Sequence, residues 1–320
     1  MTLDLGSRPD GAAGYGEAVE RITAAAARDA TELLAPEGPG FALLTGGRTE
    51  RSVVLFHGYT SAPRQFLIIA EAYRTAGCNV WVPRMPFHGY VDRLTRDLSL
   101  LTAPMLRNHA DRAVDIATGL GERGTVVGLS GGGSLATWCA VERPEVAETV
   151  AISPLMQPLG VPHWATRALA AVLPHVPDWY AWWYPRMKDA MPGYGYPDFS
   201  YRGIGALLQL VYWAQRVADR RPRSVAGRFT LVKNEGDERL DSAFNVRLVE
   251  RLVPPDRLTI HTIPASEGLI HDIVTPEATG ENHAKIDVAY RHLSEALGLE
   301  LPDPSRLWAT NDAGITGSTA

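Results

Sequence analysis

The chain reads as an α/β fold with a mostly parallel central sheet flanked by helices and interrupted by one insertion. Three observations predict it. Short apolar, β-branched runs alternate with segments of helical spacing, the pattern of β-α-β units. The 320 residues are 45% hydrophobic and 21% charged, enough for one large domain with an insertion or for two smaller ones. Composition changes at Ser153 and reverts near Arg223, with regular alternation on either side.

The elements follow in order. Met1–Gly14 is polar and glycine-rich and reads as loose. Gly16–Leu34 carries Val19, Ile22, Ala26, Ala30 and Leu33 at helical spacing, so residues 1–40 form an N-terminal segment with one helix. Its mixed charge and modest apolar face favour packing on the domain over membrane anchoring. Phe41–Thr45 and Ser52–Phe56 read as strands, with Gly46-Gly47-Arg48 suited to a tight turn between them. A loop at His57–Pro63 precedes a helix at Gln65–Thr75. Cys78–Val82 is a buried strand, Pro83–Gly89 a loop and Pro104–Leu120 a helix. Strand Thr125–Leu129 runs into helix Gly132–Arg143, which Pro144 stops, and strand Glu148–Ile152 follows. The core therefore comprises residues 41–152 and 225–300, the latter with strands Phe229–Lys233 and Leu258–Ile263 and helices Ser242–Leu252 and Asn282–Leu297. Residues 153–224, rich in proline and aromatics, are expected to form an inserted helical cap, and 301–320 a disordered tail.

The net charge of −5 and the lack of a basic face exclude nucleic acid as a partner. Cys78 and Cys139 read as two buried reduced thiols in preference to a disulfide, and no C-x-x-C or zinc-type ligand spacing is present. There is no secretory signal pattern and no apolar run of about 18 residues, so no stable membrane insertion and a cytoplasmic location are expected.

Residues Gly128-Leu129-Ser130-Gly131-Gly132 spell G-x-S-x-G between a strand and a helix, the context of a nucleophile elbow. A serine at the tip of a tight turn needs small neighbours, because strand and helix backbones approach closely there. The competing dinucleotide pattern Gly131-x-Gly133-x-x-Ala136 lies mid-chain and lacks an acid about 20 residues on at a strand end. A serine needs a base, and the base an orienting group, both in loops beyond the carboxyl ends of strands. Asp237 follows strand Phe229–Lys233, and His271 follows strand Leu258–Ile263. Asp237 is preferred to Glu238 and Asp241, since Asp241 reads as the N-cap of Ser242–Leu252. Asp272 adjoins His271, and adjacent loop residues rarely face each other. The chain order Ser, Asp, His is that of the elbow enzymes. An oxyanion hole would use the N–H of Gly131 and of a residue in an early loop, where Tyr59 is the candidate. His57 and His88 read as residues that order this loop. His109, His163, His175, His261, His283 and His292 read as solvated or structural.

At these residues the chain resembles the α/β-hydrolase superfamily, specifically its serine esterase, monoglyceride-lipase and serine-aminopeptidase-like branch. The matching pieces are HGYTSAP (57–63), VPRMPFHGY (82–90), GLSGG (128–132), EGDERLDS (235–242) and EGLIHD (267–272). The resemblance implies Ser130 as nucleophile, Asp237 as acid, His271 as base, and the Tyr59 and Gly131 N–H groups as the oxyanion hole. Leu129 stands where many relatives carry a polar residue. The insertion matches nothing that can be placed; in this superfamily the region is a variable cap.

The expected function is hydrolysis of a small-molecule carboxylic ester with an apolar acyl or alcohol part, through an acyl-enzyme and without metal or cofactor. The same triad would also serve an amide, thioester or carbon–carbon hydrolase or an acyltransferase, and a non-catalytic binding protein is a further alternative. Trp164, Trp182, Trp183 and Tyr194 are the candidate substrate-lining residues of the insertion, whose aromatics also leave room for a homo-oligomer contact.

Overall fold

Seven strands form one sheet in the order β1-β3-β2-β4-β5-β8-β9: β1 Phe41–Leu43, β2 Thr49–Phe56, β3 Asn79–Val82, β4 Gly121–Leu129, β5 Val146–Ile152, β8 Arg228–Asn234 and β9 Leu258–Ile263. The computed structural model describes residues 3–183, 193–276 and 285–302. Only β1 runs antiparallel, pairing with β3; every other pair is parallel. The turn at Gly46 does reverse the chain, with φ at 93°, but β1 and β2 are not neighbours because β3 lies between them. The sheet is thus doubly wound, and helices cover both faces.

The period-two rule shows in β2 and β4. Val54, Phe56 and Val126 face one core with α3 Ala103–Leu120 and α4 Gly131–Glu142. Val53, Leu55, Val127 and Leu129 face the other, with α2 Leu67–Thr75 and α8 Ile286–Leu297. Each such fully buried aliphatic side chain contributes roughly 1.5–3 kcal/mol. Cys78 and Cys139 are free and buried, one in each core.

Two expectations are corrected at the N-terminus. Residues 5–12 are not loose. Leu5 is buried, its carbonyl accepts from Trp138 Nε1 (2.9 Å), and the Ser7, Arg8 and Asp10 amides donate to Glu142, Asp111 and Asp115. Polar composition misleads here because the backbone, not the side chains, is what the domain holds. The helix α1, Tyr15–Asp29, buries Ala18 and packs Tyr15, Ile22 and Ala25 against the core, a stripe one residue off the expected face. Leu33 lies beyond its end and is 78% exposed.

Between β5 and β8 the segment contains α5 His163–Val172, a two-stranded antiparallel ribbon of β6 Tyr180–Trp182 and β7 Asp198–Ser200, and α6 Tyr201–Arg220. The expected cap is therefore not purely helical. Its longest helix also belongs to the core: Ala206, Leu207 and Leu210 of α6 join the cluster with α3 and α4, while Val211, Ala214 and Ala218 pack with α7 Ser242–Leu252. Asp241 caps α7, accepting from the Phe244 N–H at 2.9 Å. The tail 303–320, the start of the last expected helix (282–284) and His283 lie outside the described residues.

The carboxylates of α3 that hold residues 5–12 also face Arg143, whose side chain is wholly buried against Asp111 (3.0 Å), Asp115 (2.6 Å) and Glu145 (2.5 Å). Burial pushes the Asp115 carboxyl up despite Arg143. Arg143→Ala removes the cation bonded to buried Asp115 and leaves Asp111 only the more distant Arg107 at 4.0 Å, so the expected loss is about 3–5 kcal/mol in urea unfolding at neutral pH.

Candidate active site

Ser130 stands between β4 and α4 with φ 55° and ψ −114°, outside the regions a serine ordinarily occupies. The glycines two before and two after it make that turn possible. A Cβ on Gly128 would lie 2.1 Å from the Gly132 carbonyl oxygen, and one on Gly132 would lie 2.0 Å from that of Phe56. The Ser130 N–H donates to Ile152 O at 2.9 Å, and its own carbonyl accepts from Leu155 and Ser134.

Asp237 follows β8 and His271 follows β9. Their side chains meet at 2.6 Å, Nδ1 to Oδ2, with the Asp237 side chain almost entirely buried. Burial pushes the Asp237 carboxyl up, but the facing His271 ring, the Arg239 N–H at 2.8 Å and the Arg239 guanidinium outweigh it and hold its pKa below the ordinary value. Glu238 and Asp241 take no part in this pair. Asp272 turns away from it, accepting from the Val274 and Thr275 amides and from Gln65 Nε2 at 2.9 Å.

Tyr59 lies just past β2, buried, and a Cβ on Gly131 would sit 3.1 Å from its backbone nitrogen. The two expected oxyanion donors are therefore side by side. The other N–H groups of that loop are engaged. Gly58 donates to Gln65 Oε1 at 2.7 Å, Thr60 to His88 Nε2 at 3.2 Å and Ser61 to Gly58 O at 3.1 Å. Tyr59 N–H meets no acceptor among the described residues, and its nitrogen lies against Gly131 of the elbow. Thr60, β-branched with φ at 68°, is held in this unfavourable conformation at all its polar atoms. Its carbonyl accepts from Tyr196 N–H (2.7 Å), and its hydroxyl donates to Tyr59 O and accepts from Trp183 Nε1 (2.8 Å).

His57 and His88 do order this loop. His57 donates from Nδ1 to Gly58 O and accepts the Met85 N–H on Nε2; His88 donates to Pro86 O and accepts from Thr60. Both rings must be neutral to do so. Burial, then the neighbouring His88, pushes His57 well below its usual pKa, and burial brings His88 down to about 4.

Sequence reasoning missed Gln65 and Asn234. Gln65 ties Gly58 in the Tyr59 loop to Asp272 and Thr275 beside His271. Asn234, the last residue of β8, donates to Leu269 O and Ile270 O and accepts from Gly236 N–H. The N-x-G pattern at 234–236 is an Asx-turn signal that could have exposed Asn234. Nothing in the sequence marks Gln65, whose partner lies 207 residues away.

Of the expected insertion residues, Trp183 reaches the site, bonded to Thr60 and with Arg239 stacked 4.8 Å from its ring centre. Trp182 is half-buried in β6, and Tyr194 is buried. Trp164 is not drawn in: it is 74% exposed on α5, because that helix turns its smaller residues Thr166 and Ala170 inward.

A doubly wound sheet with a strained serine turn after β4 defines a hydrolase-type α/β protein. The sequence pattern of the alpha/beta hydrolase family matches residues 53–303, and the chain belongs to that family. Its fold is shared with solved structures at low identity. One is a metagenome-derived lipolytic enzyme (18% identical, 83% of this chain and 99% of that one, TM-score 0.60). Another is the Saccharomyces cerevisiae monoglyceride lipase (12%, 81% and 91%, 0.60). A third is the Paleococcus ferrophilus monoacylglycerol lipase (18%, 79% and 98%, 0.54). No curated protein sequence matches.

The buried neutral histidines set an acid limit on stability. Folded, they resist protonation; unfolded, they take up protons below their ordinary pKa of about 6.5. Stability is therefore full above about pH 6.5 and falls as the pH drops toward the His88 value of about 4. Each such histidine adds a slope of about 1.4 kcal/mol per pH unit in that window. Urea midpoints measured between these limits should fall on acidification, and His88→Asn should reduce the slope while costing stability at neutral pH.

Proposed function

We propose that the protein is a serine hydrolase of carboxylic esters with an apolar acyl or alcohol part. The observation that carries this reading is that the bonded Asp237–His271 pair and the strained Ser130 turn all lie beyond the carboxyl ends of parallel strands of one sheet. Gly131 abuts Tyr59, and Gln65 links the loop of Tyr59 to the neighbour of His271.

In this mechanism His271 keeps a proton on Nδ1, shared with Asp237, so Nε2 is free to take the Ser130 proton as Oγ attacks the carbonyl. Asp237 holds the ring in that tautomer and stabilises the imidazolium. The N–H groups of Tyr59 and Gly131 receive the oxyanion, each worth about 3 kcal/mol of barrier. His271 then protonates the leaving alcohol and activates water against the acyl-enzyme. No step needs a metal or cofactor. The residues between β5 and β8 act as the cap over this chemistry, and Trp183, fixed to Thr60, forms the part of its wall next to the oxyanion loop. The lipolytic activities of the solved relatives agree with an apolar substrate. No helix among the described residues is long and apolar enough to cross a membrane.

Ser130→Ala should abolish turnover of p-nitrophenyl esters and labelling by a fluorophosphonate, with an unchanged circular dichroism spectrum; retained turnover overturns the proposal. Asp237→Asn should lower kcat by up to about 10⁴-fold, since the wrong imidazole tautomer is then favoured. Steady-state rates on p-nitrophenyl esters of increasing chain length, set beside peptide p-nitroanilides, should favour esters; faster anilide cleavage identifies an amidase instead. Trp183→Ala should change the ester chain-length profile mainly through KM.

A further inference from the structure

On the side of the molecule that carries the last strand, β9 and α8 bring together three metal-binding side chains that the hydrolytic site does not use. His261 lies in β9, on the same face as Ile263, which packs against α8. His292 and Glu295 are three residues apart in α8 and so share one face of the helix. His261 Nε2 and His292 Nδ1 are 3.0 Å apart, and one ligand atom from each of the three residues falls within 4.8 Å of the others. Both histidines are half-buried and Glu295 is exposed, so the cluster opens to solvent.

We propose that His261, His292 and Glu295 form a binding site for a divalent transition-metal ion, with zinc the best fit. Two nitrogens on a tetrahedral zinc ion stand about 3.3 Å apart, given Zn–N bonds of 2.0–2.1 Å. The present separation needs an opening of only a few tenths of an ångström. With both rings neutral, one proton lies between the two contacting nitrogens. On metal binding the ring that donates it changes tautomer, moving that proton to its outer nitrogen, so both contacting nitrogens present lone pairs and no proton is released. Glu295 supplies the third ligand and one negative charge, and water the fourth position. Two imidazoles among three ligands select against calcium and magnesium, which take oxygen donors.

The placement gives the site a structural consequence. Residues 264–285 leave β9 and return in α8, and His271 lies on that connection. An ion held by His261 on one side and by His292 and Glu295 on the other cross-links the two elements from which the connection springs. The site stands on its own geometry and does not depend on the ester-hydrolase reading.

The test uses the full-length, tag-free chain stripped with a chelator. Titration with zinc chloride by calorimetry should give one saturable site of micromolar or tighter affinity, and zinc should raise the melting temperature. Cobalt(II) should give the intense visible band of a four-coordinate ion. His261→Gln and His292→Ala should each remove the saturable site, the cobalt band and the thermal shift. Glu295→Gln changes an exposed side chain, leaves folding unaffected and should weaken binding, so the test does not depend on the histidine variants folding. Absence of saturable binding to the wild-type chain, or unchanged zinc affinity in all three variants, would overturn the proposal.

Discussion

The arrangement turns on one backbone crossing, where the helix entered after Ser130 passes directly over the ends of β2 and β4. Gly132 lies so close to Phe56 that no side chain fits, and Gly128 lies equally close to Gly132. This contact forces Ser130 into a left-handed φ and lifts it out of the sheet. It also sets Gly131 against Tyr59, because the loop of Tyr59 begins at the residue the helix rests on. Local strain and the pairing of two amide donors are thus two results of one close approach.

The Ser130 turn is held by backbone hydrogen bonds to Ile152, Ser134 and Leu155, and the loops around it are braced by polar side chains. His57, His88, Gln65, Asn234 and Thr60 each bond the backbone of a loop on which a candidate reacting group sits. Hydrogen bonds suit this task because they fix direction as well as distance. The arrangement also requires neutral imidazoles, which burial supplies. Arg84 adds a further brace from outside the cluster, bonding His88 O while paired to Asp29 and Glu32. The N-terminal segment so gains a role in the region of the site, since Asp29 is the last residue of α1.

The residues between β5 and β8 combine two functions that look separate in the sequence. The ribbon β6–β7 places Trp183 over the Tyr59 loop, while α6 extends from there into the core with α4 and α7. Ser200, at the start of α6, accepts from the Tyr59 hydroxyl at 3.0 Å. The same helix therefore buttresses the Tyr59 loop and closes part of the core. Changes in this segment would consequently reach both the Tyr59 loop and the core.

The amino-acid sequence by itself determined the α/β class, six of the parallel strands to within a few residues, the serine turn and the residue types that follow β2, β8 and β9. These are local properties: β-branched runs, glycine spacing and an Asp or His at a strand end are set within about ten residues. Tertiary structure alone decided what lies between. The order of β1 and β3, the strap of residues 5–12 on Asp111 and Asp115, the link from Gly58 through Gln65 to Asp272, and the meeting of His261 with His292 all join residues far apart in the chain. Composition carries no trace of such pairs, because each partner alone looks like an ordinary polar residue. Trp164 and Trp183 show the same limit from the other side: equal as aromatic residues in a sequence, they were separated by packing, one left in solvent and the other placed against Thr60.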